Sequence, residues 1–66
     1  MNVAEIEAIR RMKASKTSQT MVGQYKFKLQ CSPRKEKEYK LLSFDDSNPY
    51  GGVNTSYISW EDFNKI

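Results

Sequence analysis

The side chains able to do chemistry in this chain are few, and the missing types narrow the field first. The 66 residues include no histidine and one cysteine. The commonest general acid–base group at neutral pH is therefore absent, and Cys31 has no imidazole to take its proton. No serine stands in a nucleophile elbow or triad pattern. Asp45 and Asp46 are adjacent carboxylates, but they open the stretch Asp45–Gly52, DDSNPYGG, whose composition is that of a turn. Asp46-x-Asn48-x-Tyr50-Gly51 echoes the start of an EF-hand loop, yet Tyr50 stands at the fifth position and Tyr57 at the twelfth, where a bidentate Glu belongs. Tyr50-Gly51-Gly52 lacks the Gly-x-x-x-x-Gly-Lys frame of a phosphate loop. No catalytic residue, metal ligand or cofactor is assigned, and the chain is not expected to be an enzyme.

What remains is charge. The net charge of +3 conceals an asymmetry: residues 1–40 carry ten Lys or Arg against four acids, a net of +6, while residues 41–66 carry one base against four acids, a net of −3. Such a split suits a basic face that meets an anion, or two complementary faces on separate copies, although a small domain also needs surface charge for solubility alone. The basic residues fall into three groups: Arg10 and Arg11 (with Lys13 and Lys16) near the N-terminus, Lys26, Lys28 and Lys40 at strand-like spacing, and Arg34 and Lys35 (with Lys37) between them. Arg10, Arg11, Lys26, Lys28, Arg34, Lys35 and Lys40 are the candidate anion-binding residues. Lysines beside aromatic rings on a sheet are how small β-rich modules hold single-stranded nucleic acid, by phosphate contacts and stacking. Of the neighbouring rings, strand parity places Tyr25 and Phe27 opposite the lysines and only Phe44 beside them. The expected function is a small non-enzymatic binding or regulatory protein recognising an anionic partner, nucleic acid or nucleotide. The alternative is a protein-directed inhibitor or adaptor that docks on a larger partner, by an apolar patch or by strand addition.

The elements that must position these residues centre on Gln24–Phe44, which reads as two strands joined by a charged turn. Tyr25, Phe27, Leu29 and Cys31 alternate with Gln24, Lys26, Lys28 and Gln30, as in a half-buried antiparallel strand. Matching parity places Leu41 near Leu29 and Tyr39 near Cys31. Leu42 and Phe44 then fall on the lysine face and need a cover, for which the N-terminal helix is the candidate. That helix spans 1–13, with Asn2 as its cap and Val3, Ile6, Ile9 and Met12 on a broad apolar face. Residues 14–20 read as a polar linker. Val53–Ile58 reads as a third strand with Val53, Thr55 and Tyr57 on one face, and Ser59 caps a short C-terminal helix.

The predicted architecture is one α+β domain over 1–66: an N-terminal helix, a three-stranded antiparallel meander and a short C-terminal helix. Tyr25, Phe27, Leu29, Leu41, Tyr57, Trp60 and Phe63 are its expected core, with Ile6 and Ile9 docking on it or on a partner. At this length only about 60 % of the unfolded surface can be buried, and one cysteine closes no internal disulfide, so a homodimer is expected to supplement the core. Cys31 is expected to be a small buried hydrophobe. No stretch approaches a membrane span or a signal-peptide core, and a reducing, cytoplasmic setting suits the cysteine usage.

Overall fold

The computed structural model describes residues 2–48 and 50–66; Met1, in the predicted N-terminal helix, and Pro49, in the predicted Asp45–Gly52 turn, lie outside the described residues. Helix α1 (Val3–Ser15) leads into strands β1 (Gln19–Val22), β2 (Tyr25–Cys31), β3 (Glu38–Asp45) and β4 (Asn54–Ser59), and the chain closes with helix α2 (Trp60–Lys65). The strands form one antiparallel sheet in the order β1-β2-β3-β4. The class is α+β, with four strands where three were expected.

The N-terminal helix begins as its sequence dictates. Asn2 holds an extended backbone and its Oδ1 accepts the Glu5 N–H at 2.9 Å, satisfying one of the otherwise unpartnered first-turn donors. The helix runs two residues beyond its predicted end and stops at Lys16, which adopts a left-handed φ of 55° while its N–H reaches the Met12 carbonyl. Much of the expected linker is therefore structured: Ala14 and Ser15 are helical, and Gln19 and Thr20 begin β1. That strand turns into β2 through Gly23 at φ 61°, leaving Val22 opposite Tyr25 across a two-residue connection of the type that needs glycine first.

The β2–β3 register pairs Leu29 with Leu41 and Cys31 with Tyr39, as parity requires. Carrying the alternation through all four strands sorts the sheet into two faces. One holds Val22, Phe27, Leu29, Tyr39, Leu41 and Ile58, and α1 lies across it; Ala8, Ile9, Met12, Phe27, Leu41 and Ile58 are the buried core. Helix α2 closes one end of the same side. Its Ser59 cap accepts the Asp62 N–H at 3.1 Å, and the Tyr39 ring packs against Phe63 at 4.7 Å and Trp60 at 6.0 Å. Lys13 Nζ ties the two helices by donating to the Phe63 carbonyl at 3.1 Å.

Several expectations are corrected here. The helix does not cover Leu42 and Phe44: it covers the opposite face, where Phe27, Leu41 and Ile58 give a continuous apolar bed, whereas the lysine face sets Leu42 and Phe44 among charged side chains. Tyr57 is not core. The last strand begins at Asn54, and pairing Ile58 with Tyr39 puts Ile58 inward and Tyr57 on the far face, 37 % exposed. Tyr25 and Trp60 are likewise exposed, because a helix lying over the centre of the sheet leaves the strand ends open. Cys31, the last residue of β2, is exposed for the same reason. No helix among the described residues is long and apolar enough to cross a membrane.

Candidate functional site

The uncovered face of the sheet carries the candidate site. Cross-strand pairing sets Lys26 beside Phe44 and Met21, Lys28 beside Leu42, and Lys40 between Gln30 and Tyr57. All three lysines are half-buried, with stems lying on the sheet and ammonium groups at its surface. Lys28 Nζ lies 5.8 Å from the centre of the Phe44 ring. None of the three makes an ion pair with a described residue. Lys26 and Lys28, two apart on one strand, are spaced about 7 Å along it. Phe44 and Tyr57 lie four residues apart along the register and one strand over, about 14 Å.

The turn between β2 and β3 adds a fixed cation at one margin. Glu38 is buried, 6 % exposed, and its carboxylate accepts from Arg34 Nε at 2.8 Å, Arg34 Nη2 at 3.4 Å and Ser32 Oγ at 3.0 Å, with Lys35 Nζ at 3.6 Å. The hydrogen bond from Arg34 is the chief reason that the Glu38 carboxyl titrates below its ordinary value, with Ser32 and the charge of Lys35 adding to it and desolvation opposing. The same bond to Glu38 raises the Arg34 guanidinium above its own usual value. So held, the guanidinium stacks on the Tyr57 ring at 3.7 Å from its centroid. Tyr57 thus has one ring face covered by Arg34.

Five of the seven candidate anion-binding residues are gathered on or beside this face: Lys26, Lys28 and Lys40 on the sheet, Arg34 and Lys35 at its margin. Glu38 offsets one of the two margin charges, which leaves the surface strongly positive. Arg10 and Arg11 lie in the helix layer on the other side. Arg11 is engaged there, bonded to Glu7 Oε1 at 3.0 Å and to the Met21 carbonyl at 2.6 Å. The site member that sequence reasoning missed is Tyr57. The alternation Thr55–Tyr57 was visible, but its phase relative to β3 depends on a long connection through Asp46–Val53 whose length fixes no register.

A sheet face with three free lysines, a stacked arginine and two partly exposed rings can neutralise phosphates and offer π-surfaces to bases. Among the described residues no group of His, Cys, Asp and Glu is placed to hold a metal ion. No protein-family model, no curated protein and no solved structure matches this chain.

Proposed function

We propose that this chain is a small non-enzymatic binding protein whose open sheet face takes an anionic partner, and that the partner is a single-stranded nucleic acid. One observation carries the proposal: the face left bare by α1 is the one on which Lys26, Lys28 and Lys40 alternate with Phe44 and Tyr57. A face without covering helix and without an unpaired acid is suited to a polyanion. Rings about 14 Å apart on the sheet suit an extended strand over a single nucleotide, since two bases can stack while the sugar–phosphate chain crosses the lysines between them. Stacking of this kind is tolerant of sequence, so binding is expected to discriminate single from double strands more than one base from another.

The test is residue-resolved. A short oligothymidylate titrated into the labelled protein is expected to shift the backbone signals of Lys26, Lys28, Lys40, Phe44 and Tyr57, leaving those of Arg10 and Ala14 unchanged. Shifts confined to α1, or none, contradict the proposal.

A further inference from the structure

The two edges of the sheet are built differently, and the difference points to a second binding surface. In an antiparallel pair the backbone groups of alternate residues turn to the partner strand and away from it. Leu29 N–H donates to the Ser18 carbonyl at 2.8 Å, which makes Ser18, Thr20 and Val22 the residues bonded to β2, and turns the carbonyls of Gln19 and Met21 outward. Both are taken: Thr17 Oγ1 donates to the Gln19 carbonyl at 3.1 Å and Arg11 Nη1 to that of Met21 at 2.6 Å. The β1 edge is blunted. At the other side, the Trp60 N–H bonds the Lys37 carbonyl at 2.9 Å, so Asn54, Ser56 and Ile58 face β3, and Thr55 and Tyr57 turn their N–H and C=O groups outward. Among the described residues nothing hydrogen-bonds those groups. The strand itself, NTSYIS, has no charge, proline or glycine, the usual devices that keep an edge from pairing.

Along this open edge, on the helix side, runs a groove of about 470 Å³ lined by Glu5, Ser56, Tyr57, Ile58 and Asp62. Neither Glu5 nor Asp62 has a cationic partner among the described residues. A second copy of this chain fits the edge poorly. Antiparallel pairing of two β4 strands has its two-fold axis perpendicular to the sheet, which places both copies' helices on one side. The carboxylates of Glu5 and Asp62 from both copies would then line the same side of one seam; like charges brought together oppose the pairing. A segment with cations on one side of its own pleat avoids that conflict.

We propose that the outer edge of β4 is a docking site for an extended segment of a partner protein that carries Lys or Arg at alternate positions. The segment adds a fifth strand through the Thr55 and Tyr57 backbone. Its basic side chains point to the helix side, toward Glu5 and Asp62, and its uncharged side chains lie beside Tyr57 on the open side. This edge borders the open face at Tyr57 but uses none of its lysines.

The probe is a capped peptide of alternating threonine and lysine, with the same peptide carrying glutamate for lysine as its control. On a chain of net charge +3 a lysine peptide has no general attraction, so binding must be local. The lysine peptide is expected to bind, to shift and protect the Thr55 and Tyr57 amides against hydrogen exchange, and to bind at least tenfold more weakly to the Glu5→Gln/Asp62→Asn variant. Thr55→Pro removes an outward N–H and no bond to β3, and is expected to abolish binding. Lys26→Glu/Lys28→Glu is expected to leave it intact, which separates this edge from the open face. Should Thr55→Pro fail to fold, the Glu5/Asp62 variant still decides. No binding, equal binding of the glutamate peptide, or Thr55 and Tyr57 amides already protected in a self-associated protein overturns the proposal.

Discussion

Because α1 covers one face of the sheet only, two truncations of apolar side chains should have opposite consequences. Ile9, on the sheet-facing side of α1, is fully buried. Ile9→Ala is expected to cost about 3 kcal/mol, within the usual range for emptying a buried aliphatic site. Stability for a chain this short is on the order of 3–10 kcal/mol, so the variant loses from roughly 30 % to all of it. With a urea slope of about 1 kcal/mol/M, the unfolding midpoint falls by about 3 M. Phe44, half-buried on the open face, forfeits only part of a phenylalanine's burial, and Phe44→Ala is expected to cost less than about 1.5 kcal/mol. In binding the order reverses. Loss of one stacked base removes about 1–3 kcal/mol, a drop of roughly 5- to 150-fold in affinity for a single strand, while Ile9→Ala, measured where it remains folded, binds normally. Urea unfolding followed by Trp60 fluorescence and a titration of each folded variant read both quantities. A Phe44→Ala cost of about 3 kcal/mol or more, the level of a core aromatic, would show that the lysine face is covered and refute the reasoning.

Further expectations follow from single residues. Glu38 binds its proton less readily folded than unfolded, so its contribution to stability is complete above the ordinary carboxylate value of 4.5 and is lost as the pH falls through the lower folded value; Glu38→Gln should flatten the acid limb of the stability–pH curve, and an unchanged limb would contradict the role of Arg34. Exposed Cys31 should react with a thiol reagent in the native protein without a denaturation lag; reaction only on unfolding would place it inside. Lys16 holds a left-handed backbone at the end of α1, and Lys16→Gly should stabilise by up to about 1 kcal/mol, visible as a higher melting temperature; a loss of stability would mean that the Lys16 side chain contributes something the backbone geometry does not show.

The parts of the fold legible in the sequence were those decided locally. Asn2 and Ser59 announced both helix starts because a cap needs only a short side chain and the next few amides. The pairing of Leu29 with Leu41 followed from parity, since a strand offset by one residue would send its whole apolar set outward. What escaped was set by tertiary packing. In β1, Gln19 and Thr20 are polar and its pattern is too short to register, though Gly23 between Val22 and Gln24 was a turn signal. Which face α1 would cover could not be read from Leu42 and Phe44 alone, because Ile58, the residue that completes the covered bed, lay beyond an irregular connection. The same uncertainty hid Tyr57 from the lysine face. Of the candidate site, Lys26, Lys28 and Lys40 were legible from alternation, while the use of Arg11 at a strand edge was not, being a contact across ten residues between layers.

The most direct test is the salt dependence of single-strand binding. With Lys26, Lys28, Lys40 and the surplus charge of the Arg34–Lys35–Glu38 cluster engaging about four phosphates, log K should fall with log salt at a slope of about −3, or roughly 50-fold between about 50 and 200 mM. Lys26→Glu/Lys28→Glu should bind far more weakly, with a slope near −1.4 from the two contacts left, about 0.7 per phosphate. Anisotropy of a labelled oligothymidylate measures both. A steep slope in the parent protein that survives unchanged in the double variant, or no binding at the lower salt, would contradict the assignment of the open sheet face as the site.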